Sequence, residues 1–263
     1  MATAHQHVLV PVPVPVEPIE ELENLQLPER DGIPLESDWH RAAIGLLIES
    51  VLYHFKDRTD FYAGGNMFIH FCLEQVRKHS FRGPDFFYVD GVALNPPRRY
   101  WIVWNEGGRY PDLIIELSSP STYEEDRTTK KKIYERTFRT SEYYCYDPET
   151  EKLQGWRLGQ RRRYRAIKPN ERGWLWSEEL KLWLGIWKGE YLRHPGTWLR
   201  FYTRQGNLVE LKDETALQQL ENERQRAEHE RQRAEAAEAE LARLKALLAQ
   251  QGTLPRTRDE GTR

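Results

Sequence analysis

Residues 113–117, Leu-Ile-Ile-Glu-Leu, stand between Pro111 and the turn-forming cluster of residues 118–121, Ser-Ser-Pro-Ser. A short apolar run bounded in this way reads as a strand buried on both faces, of the kind found inside an α/β sheet. Glu116 interrupts that run. A carboxylate in a doubly buried strand is costly unless it meets a cation, a metal ion or a proton, so the fold must supply Glu116 with a partner. A structural salt bridge and a perturbed, functional carboxylate both meet that demand.

Beyond the strand, Ser121 or Thr122 can cap a helix whose first turn would hold Glu124, Glu125 and Asp126, and the pattern continues to about Phe138. At 100° per residue Ile133, Tyr134, Thr137 and Phe138 share one face. Lys130 falls near the middle of that face, Lys131 at its flank, and Lys132 points away. The order strand-then-helix therefore carries an inward lysine toward the end of a strand with an inward glutamate. Such a pair can form a salt bridge or act together on a phosphate, and spacing leaves both open.

Pro111-Asp112, Glu116, the SPST of residues 119–122, a helix with Lys130 and Tyr134 four residues on, and the EYYCYDP of residues 142–148 resemble one known group. This is the Uma-type restriction endonuclease family, within the PD-(D/E)XK nuclease superfamily. The resemblance runs from about Trp39 to Leu211 and takes in GGNMFIHF at 64–71, GPDFFYVDGV at 83–92, the block from Arg98 to Thr122, and GWLWSEELKLWLGIWKGEY at 173–191. It implies an α/β fold with a PD-(D/E)XK restriction-endonuclease-like core: a mixed central sheet, the Pro111 strand in its middle, and a helix on each side. A C-terminal β-hairpin region and a long helical tail extend that core.

The resemblance further implies metal-dependent hydrolysis of DNA phosphodiester bonds, with Asp85, Asp112, Glu116 and Lys130 as site residues. The carboxylates would hold Mg²⁺ or Mn²⁺, and Lys130 would position the attacking water or stabilise charge on the phosphate. Hard oxygen donors without a histidine cluster favour these ions over zinc. In the superfamily an aspartate precedes the glutamate on a neighbouring strand, and the chain offers Asp85 and Asp112. Along one strand Asp112 and Glu116 would lie about 13 Å apart at their α-carbons, too far to share an ion easily, whereas Asp85 can lie beside Glu116 on an adjacent strand. Asp85 therefore ranks first. Two residues after Glu116, where the superfamily's lysine would stand, the chain has Ser118, so Lys130 would replace that lysine from the helix. Glu49, on the first helix, is read as solvated and kept out of the site.

A formal net charge of −2 and a pI near 6.5 exclude a polybasic protein, so any DNA contact must come from a local patch. The densest arginine cluster is Arg161, Arg162, Arg163 and Arg165 around Tyr164. It suits a phosphate-binding patch, but a solvated hairpin tip explains it without any partner and is the simpler reading. Cys72 and Cys145 read as reduced core thiols, and the eight histidines show no ligand spacing. With neither a secretory leader nor an apolar span, the expectation is a cytoplasmic protein with DNA as partner, no membrane contact and no small-molecule cofactor.

Composition divides the chain into four parts. Residues 1–30, rich in Pro and Val, predict an extended, disordered arm, and residues 31–212 the folded domain. Within it a helix begins at Ser37 or Asp38, Tyr62–Leu73 reads as a Gly-led turn and a strand, further strands are expected over Asp85–Val92, Tyr143–Tyr146 and Leu153–Leu158, and a last hairpin joins Leu199–Tyr202 to Leu208–Leu211. Tryptophans 174, 176, 183 and 187 are expected to pack a short amphipathic turn, though they would also suit a carbohydrate platform. Residues 213–251 predict a charged helix whose heptad seam is apolar only near Leu241, Leu244 and Leu248, which leaves a solvated helix and a homodimeric coiled coil both open. Residues 252–263 predict a disordered tail. Two rivals to an enzyme stand beside this reading: a catalytically silent relative in which Glu116 and Lys130 form a structural ion pair, and an interaction protein acting through the tail and the Pro-Val arm.

Overall fold

The computed structural model describes residues 37–72, 83–94, 97–119 and 122–251. The expected Pro-Val arm, Ser121 and the segment from 252 onward lie outside the described residues. The chain divides into two units, Met1–Glu210 and Leu211–Arg263.

Helix α1 (Asp38–His54) starts where the sequence places it, because the Ser37 hydroxyl accepts the His40 N–H at 3.1 Å. This satisfies one of the donors that a helix N-terminus leaves open. Its buried side carries Ala42, Ala43, Ile44, Leu46, Leu47 and Val51. The strands that follow are β1 (Phe61–Gly64), β2 (Ile69–His70), β3 (Phe86–Asp90), β4 (Trp101–Ile102) and β5 (Leu113–Leu117). Within the segment expected as a Gly-led turn and a strand over Tyr62–Leu73, Gly64-Gly65-Asn66 turns the chain, with Asn66 at φ 49°, between the short strands β1 and β2, and Leu73 lies outside the described residues.

After β5 comes one helical run of four pieces: α2 (Tyr123–Glu125), a π turn π1 (Asp126–Lys130), α3 (Lys131–Ile133) and a second π turn π2 (Tyr134–Phe138). Thr122 takes the N-cap place without a side-chain cap bond, its hydroxyl accepting instead the Ser119 N–H at 3.0 Å. Then follow β6 (Glu142–Asp147), β7 (Lys152–Leu158), β8 (Tyr164–Ala166), β9 (Leu175–Trp176), β10 (Trp183–Tyr191), β11 (His194–Tyr202) and, in the second unit, α4 (Lys212–Gln251).

The central sheet has the order β1-β3-β5-β6-β7-β8. Only β5 and β6 pair in parallel, with the helical run as their crossover, and the other neighbours are antiparallel. It is therefore a mixed sheet with β5 inside it. Alternation along the strands separates two faces. Phe87, Val89, Ile114, Tyr143 and Cys145 face Tyr134 and Phe138 of the helical run. On the other side α1 packs against β1, β3 and β11. With both faces covered, the five residues of β5 are all buried, as the apolar run predicted.

β9, β10 and β11 make a separate antiparallel sheet. Its hairpin joins β10 to β11 through Leu192 and Arg193, both at positive φ. The expected turn from 199–202 back to 208–211 is present in short form: Leu208 forms an antiparallel bridge with Tyr202, the Val209 N–H donates to the Phe201 carbonyl at 2.9 Å and the Thr203 N–H to the Asn207 carbonyl at 2.7 Å, while 208–211 form no full strand. Trp176, Trp183 and Trp187 consequently lie on strands rather than around a short turn. Glu142 ties this sheet to β6. Its buried carboxylate accepts from Arg157 Nε at 2.8 Å, Ser177 Oγ at 2.5 Å and the Glu178 N–H at 2.8 Å, so the charge is paired and hydrogen-bonded as burial requires.

The second unit contains the 40-residue helix α4, on which Leu241 and Leu244 are 54% and 51% exposed. Among the described residues no helix is long and apolar enough to cross a membrane.

Candidate active site

Glu116 lies on the face of β5 that the helical run covers, and its side chain is fully buried. Two groups from that run reach it. Tyr134 Oη donates to Oε1 at 2.7 Å, and Lys130 Nζ lies 3.1 Å from Oε2. Lys130 also stands 2.9 Å from Asp126 Oδ1, one turn back. Asp126, Lys130, Tyr134 and Phe138 form a row at four-residue spacing. An α-helix drifts about 40° over each four-residue step, and π turns, with their wider i→i+5 closure, rotate the row back. Alternating the two keeps all four side chains over the sheet. The same correction turns Thr137 out, and it is exposed where the α period put it inward. Lys132 is exposed as expected, and Lys131 flanks the run with its ammonium 3.9 Å above the Trp156 ring.

Asp85 reaches the same place from β3. The β3–β5 register sets Phe86 opposite Ile115, so the next step along places Asp85 opposite Glu116. Directly opposed residues of antiparallel strands hold their β-carbons about 4.5–5.5 Å apart. The Asp85 carboxylate extends the ladder by side chain: Oδ2 accepts the Leu117 N–H at 2.7 Å and Oδ1 pairs with His40 Nε2 at 2.8 Å. Gly65 fixes this corner. A β-carbon there would sit 2.0 Å from the Asp85 carbonyl oxygen, and the Asn66 N–H donates to Pro84 at 2.9 Å. Only a residue without a side chain lets the two backbones approach so closely.

The electrostatics follow from three carboxylates gathered about one ammonium in a dry site. Burial pushes the Glu116 carboxyl up to about 8 against the pull of Lys130, and the Asp85 and Asp126 carboxylates push it further. For Lys130, 19% exposed, burial alone would weaken the charged form, but Glu116, Asp126 and Asp85 outweigh it and hold the ammonium above its ordinary value. The cluster thus binds a proton or a cation in excess of Lys130. Among the described residues no three or more His, Cys, Asp and Glu side chains are grouped so that they could hold a metal ion by themselves. The donor set at Glu116 and Asp85 still fits a hard divalent cation. Both side chains offer oxygen, they are cross-strand neighbours, and Glu116 carries an unmet demand for positive charge.

The structure brings together Asp85, Glu116 and Lys130, and leaves Asp112 elsewhere. Asp112 Oδ2 accepts the Asp90 N–H at 2.8 Å, and its charge acts on Glu179, whose carboxyl burial first and Asp112 next push up to about 7. Ser118, two residues after Glu116, accepts from Arg127 Nη1 at 3.2 Å. Glu49 accepts from the Tyr191 hydroxyl at 3.4 Å. Sequence reading missed Asp126, Tyr134 and His40 as members of the cluster. Asp126 stands four residues before Lys130, a spacing that already places both on one face. Tyr134 stands on the expected inward face and in the family pattern but is given no role toward Glu116 by its spacing, and nothing local marks His40, since its partner is 45 residues away.

No curated protein matches the chain significantly. A crystal structure described as that of "a putative nuclease belonging to DUF820", from Anabaena variabilis, is 14% identical, covers 62% of this chain and 89% of its own, and has a TM-score of 0.41. The sequence profile of the Uma2 family, described as "Putative restriction endonuclease", matches residues 20–194 of the 263, so all four expected site residues fall inside the match. The chain belongs to the Uma2 family.

Proposed function

We propose that the protein is a metal-dependent endonuclease that hydrolyses DNA phosphodiester bonds at the end of β5. The carrying observation is the convergence of Asp85, Glu116 and Lys130 beneath one helical run, and membership of a family described as restriction endonucleases supports it. In this reading Asp85 and Glu116 hold Mg²⁺ or Mn²⁺, and Asp112 stays outside the ligand set as a backbone tie of β3. When bound, such an ion lowers the pKa of a coordinated water and neutralises charge on the phosphate. The chain's own groups do the rest. His40 and the Leu117 N–H fix the two Asp85 oxygens, and Tyr134 fixes one Glu116 oxygen, so the carboxylates are oriented before any ligand arrives. Lys130, kept protonated by three carboxylates, is the cation available to a phosphate oxygen as negative charge develops there. Asp126 holds Lys130 near Glu116.

Plasmid nicking with Mg²⁺ or Mn²⁺ tests the proposal. Glu116→Gln keeps the side-chain shape and the Tyr134 hydrogen bond and leaves Lys130 its Asp126 partner, so the variant should fold, melt within a few degrees of the parent and lose at least ~10²-fold in nicking rate, the scale of removing one preorganised electrostatic group. One observation favours a second reading. Lys130 Nζ occupies the space between Glu116 and Asp126 as a bridge, which is the arrangement of a structural ion triad. A parent protein that neither nicks DNA nor melts higher on addition of either metal is that triad, and the nuclease proposal fails.

A further inference from the structure

In a chain of net charge −2, one cleft of about 310 Å³ is lined by Arg136, Arg139, Arg161, Arg162, Arg163 and a single acid, Glu135. We propose that this cleft grips the phosphate backbone of duplex DNA and so sets where the duplex lies relative to Glu116. The choice of DNA rests on the nuclease reading above.

The cleft is assembled from two elements. Arg136 lies in π2 and Arg139 caps its end, while Arg161, Arg162 and Arg163 come from the turn between β7 and β8. Glu135 latches them together: Oε1 accepts the Tyr164 N–H at 2.7 Å and Oε2 pairs with Arg163 at 3.1 Å. The helix C-terminus accounts for Arg136 and Arg139, since cations are favoured there. It does not account for three more arginines carried in from the β7–β8 turn. Glu135 also lies 3.8 Å from Arg136 Nε, and among the described residues no carboxylate pairs with Arg139, Arg161 or Arg162. Five guanidinium groups facing one carboxylate leave a strong local excess of positive charge. A polyanion relieves that repulsion, and duplex DNA, with one charge per ~1.7 Å of axis, is the densest such partner that the proposed chemistry provides.

Two of these arginines stand where the backbone prefers another residue. Arg139, at the end of π2, has φ 55°, and Arg162, in the β7–β8 turn, also has φ 55°. Glycine adopts that left-handed conformation without strain, and it is the usual residue at such a helix end. Turn chemistry therefore does not ask for arginine at either place. Placement is consistent with the active site as well. Arg136 and Arg139 follow Lys130 by six and nine residues on one run, about 9–14 Å at a helical rise, so the cleft lies within a few nucleotides of Lys130 on a duplex whose charges recur every ~1.7 Å of axis.

The test uses the full chain in chelator, so that cleavage plays no part, with a labelled duplex of about 20 base pairs titrated over a salt series. The double variant Arg139→Gly, Arg162→Gly removes two cations while relieving two strained positions. Its melting temperature should equal or exceed the parent's, its affinity should fall about tenfold or more, and its log K against log salt slope should be shallower by about 1.8, or ~0.9 per lost phosphate contact. Arg193→Gly is the matched control, an arginine at φ 65° in the β10–β11 turn, and should leave binding unchanged. Parental affinity and slope in the double variant, an equal loss in the control, no duplex binding by the parent, or tighter binding of single strands than of duplex would each overturn the cleft. A parent that binds through the cleft but cuts nothing with Mg²⁺ or Mn²⁺ upholds it and removes only the proposed chemistry.

Discussion

Glu116 is where burial and charge are in sharpest conflict. Its folded carboxyl titrates near 8 against an ordinary 4.5, because burial disfavours the carboxylate and Lys130 only partly compensates. The sign of the resulting pH dependence follows from proton counting. Between those two values the folded state holds a proton that the unfolded chain has released, so the stability Glu116 contributes is complete below 4.5 and is lost as pH rises through 8. Lys130, raised above its ordinary value, stays charged throughout that window and adds no slope. The parent should therefore lose melting temperature relative to Glu116→Gln between about pH 5 and about pH 8.5 in chelator, and Mg²⁺ should stabilise it more at the higher pH, where the cation no longer competes with a proton. Thermal melts of the two proteins across that range check this, and parallel curves would show that Glu116 is ionised throughout.

At the level of elements, the site depends on how closely the turn after β1 meets the start of β3. Gly65 is the position where this shows, since the nearest atom to an added β-carbon is the Asp85 carbonyl oxygen at 2.0 Å, with Ile44 Cγ2 at 2.9 Å. Backbone cannot yield as a flexible side chain does. Gly65→Ala should cost about 1–3 kcal/mol by overpacking, measured by urea denaturation, and should displace Asp85 from its bonds to His40 and Leu117. Unchanged stability would mean that this corner is looser than the contact implies. The helical run makes the same point from the other side of the sheet. Its π turns hold Asp126, Lys130 and Tyr134 in one row, and π geometry of this sort recurs at functional sites.

For the whole molecule, the contacts divide the chain near Glu210. The sheet, both helices on its faces and every residue of the proposed site lie before that point. A chain of residues 31–212 should accordingly melt in one cooperative transition, followed by circular dichroism, because its apolar strands and α1 bury a common core while α4 carries exposed leucines. A broad, non-cooperative melt would refute the assignment of the fold to that stretch.

What the sequence determined by itself was local. The apolar run of β5 made a doubly buried strand and set Glu116 in it, the 3.6-residue period turned Lys130 inward, and Ser37 capped α1. Each follows from residues within a turn or two of one another, where side-chain period and hydrogen-bonding capacity decide the outcome. The tertiary structure decided the partners. Asp85 was separated from Asp112 by the β3–β5 register, His40 met Asp85 across 45 residues, and the π turns kept Asp126, Lys130, Tyr134 and Phe138 in one row over the sheet. Strand register is fixed by the packing of whole faces, and a one-residue slip would exchange them, so no window of sequence around Asp85 or His40 contains the information. The arginine cleft has the same origin, since Glu135 latches a helix end to a turn that the chain reaches only 28 residues later.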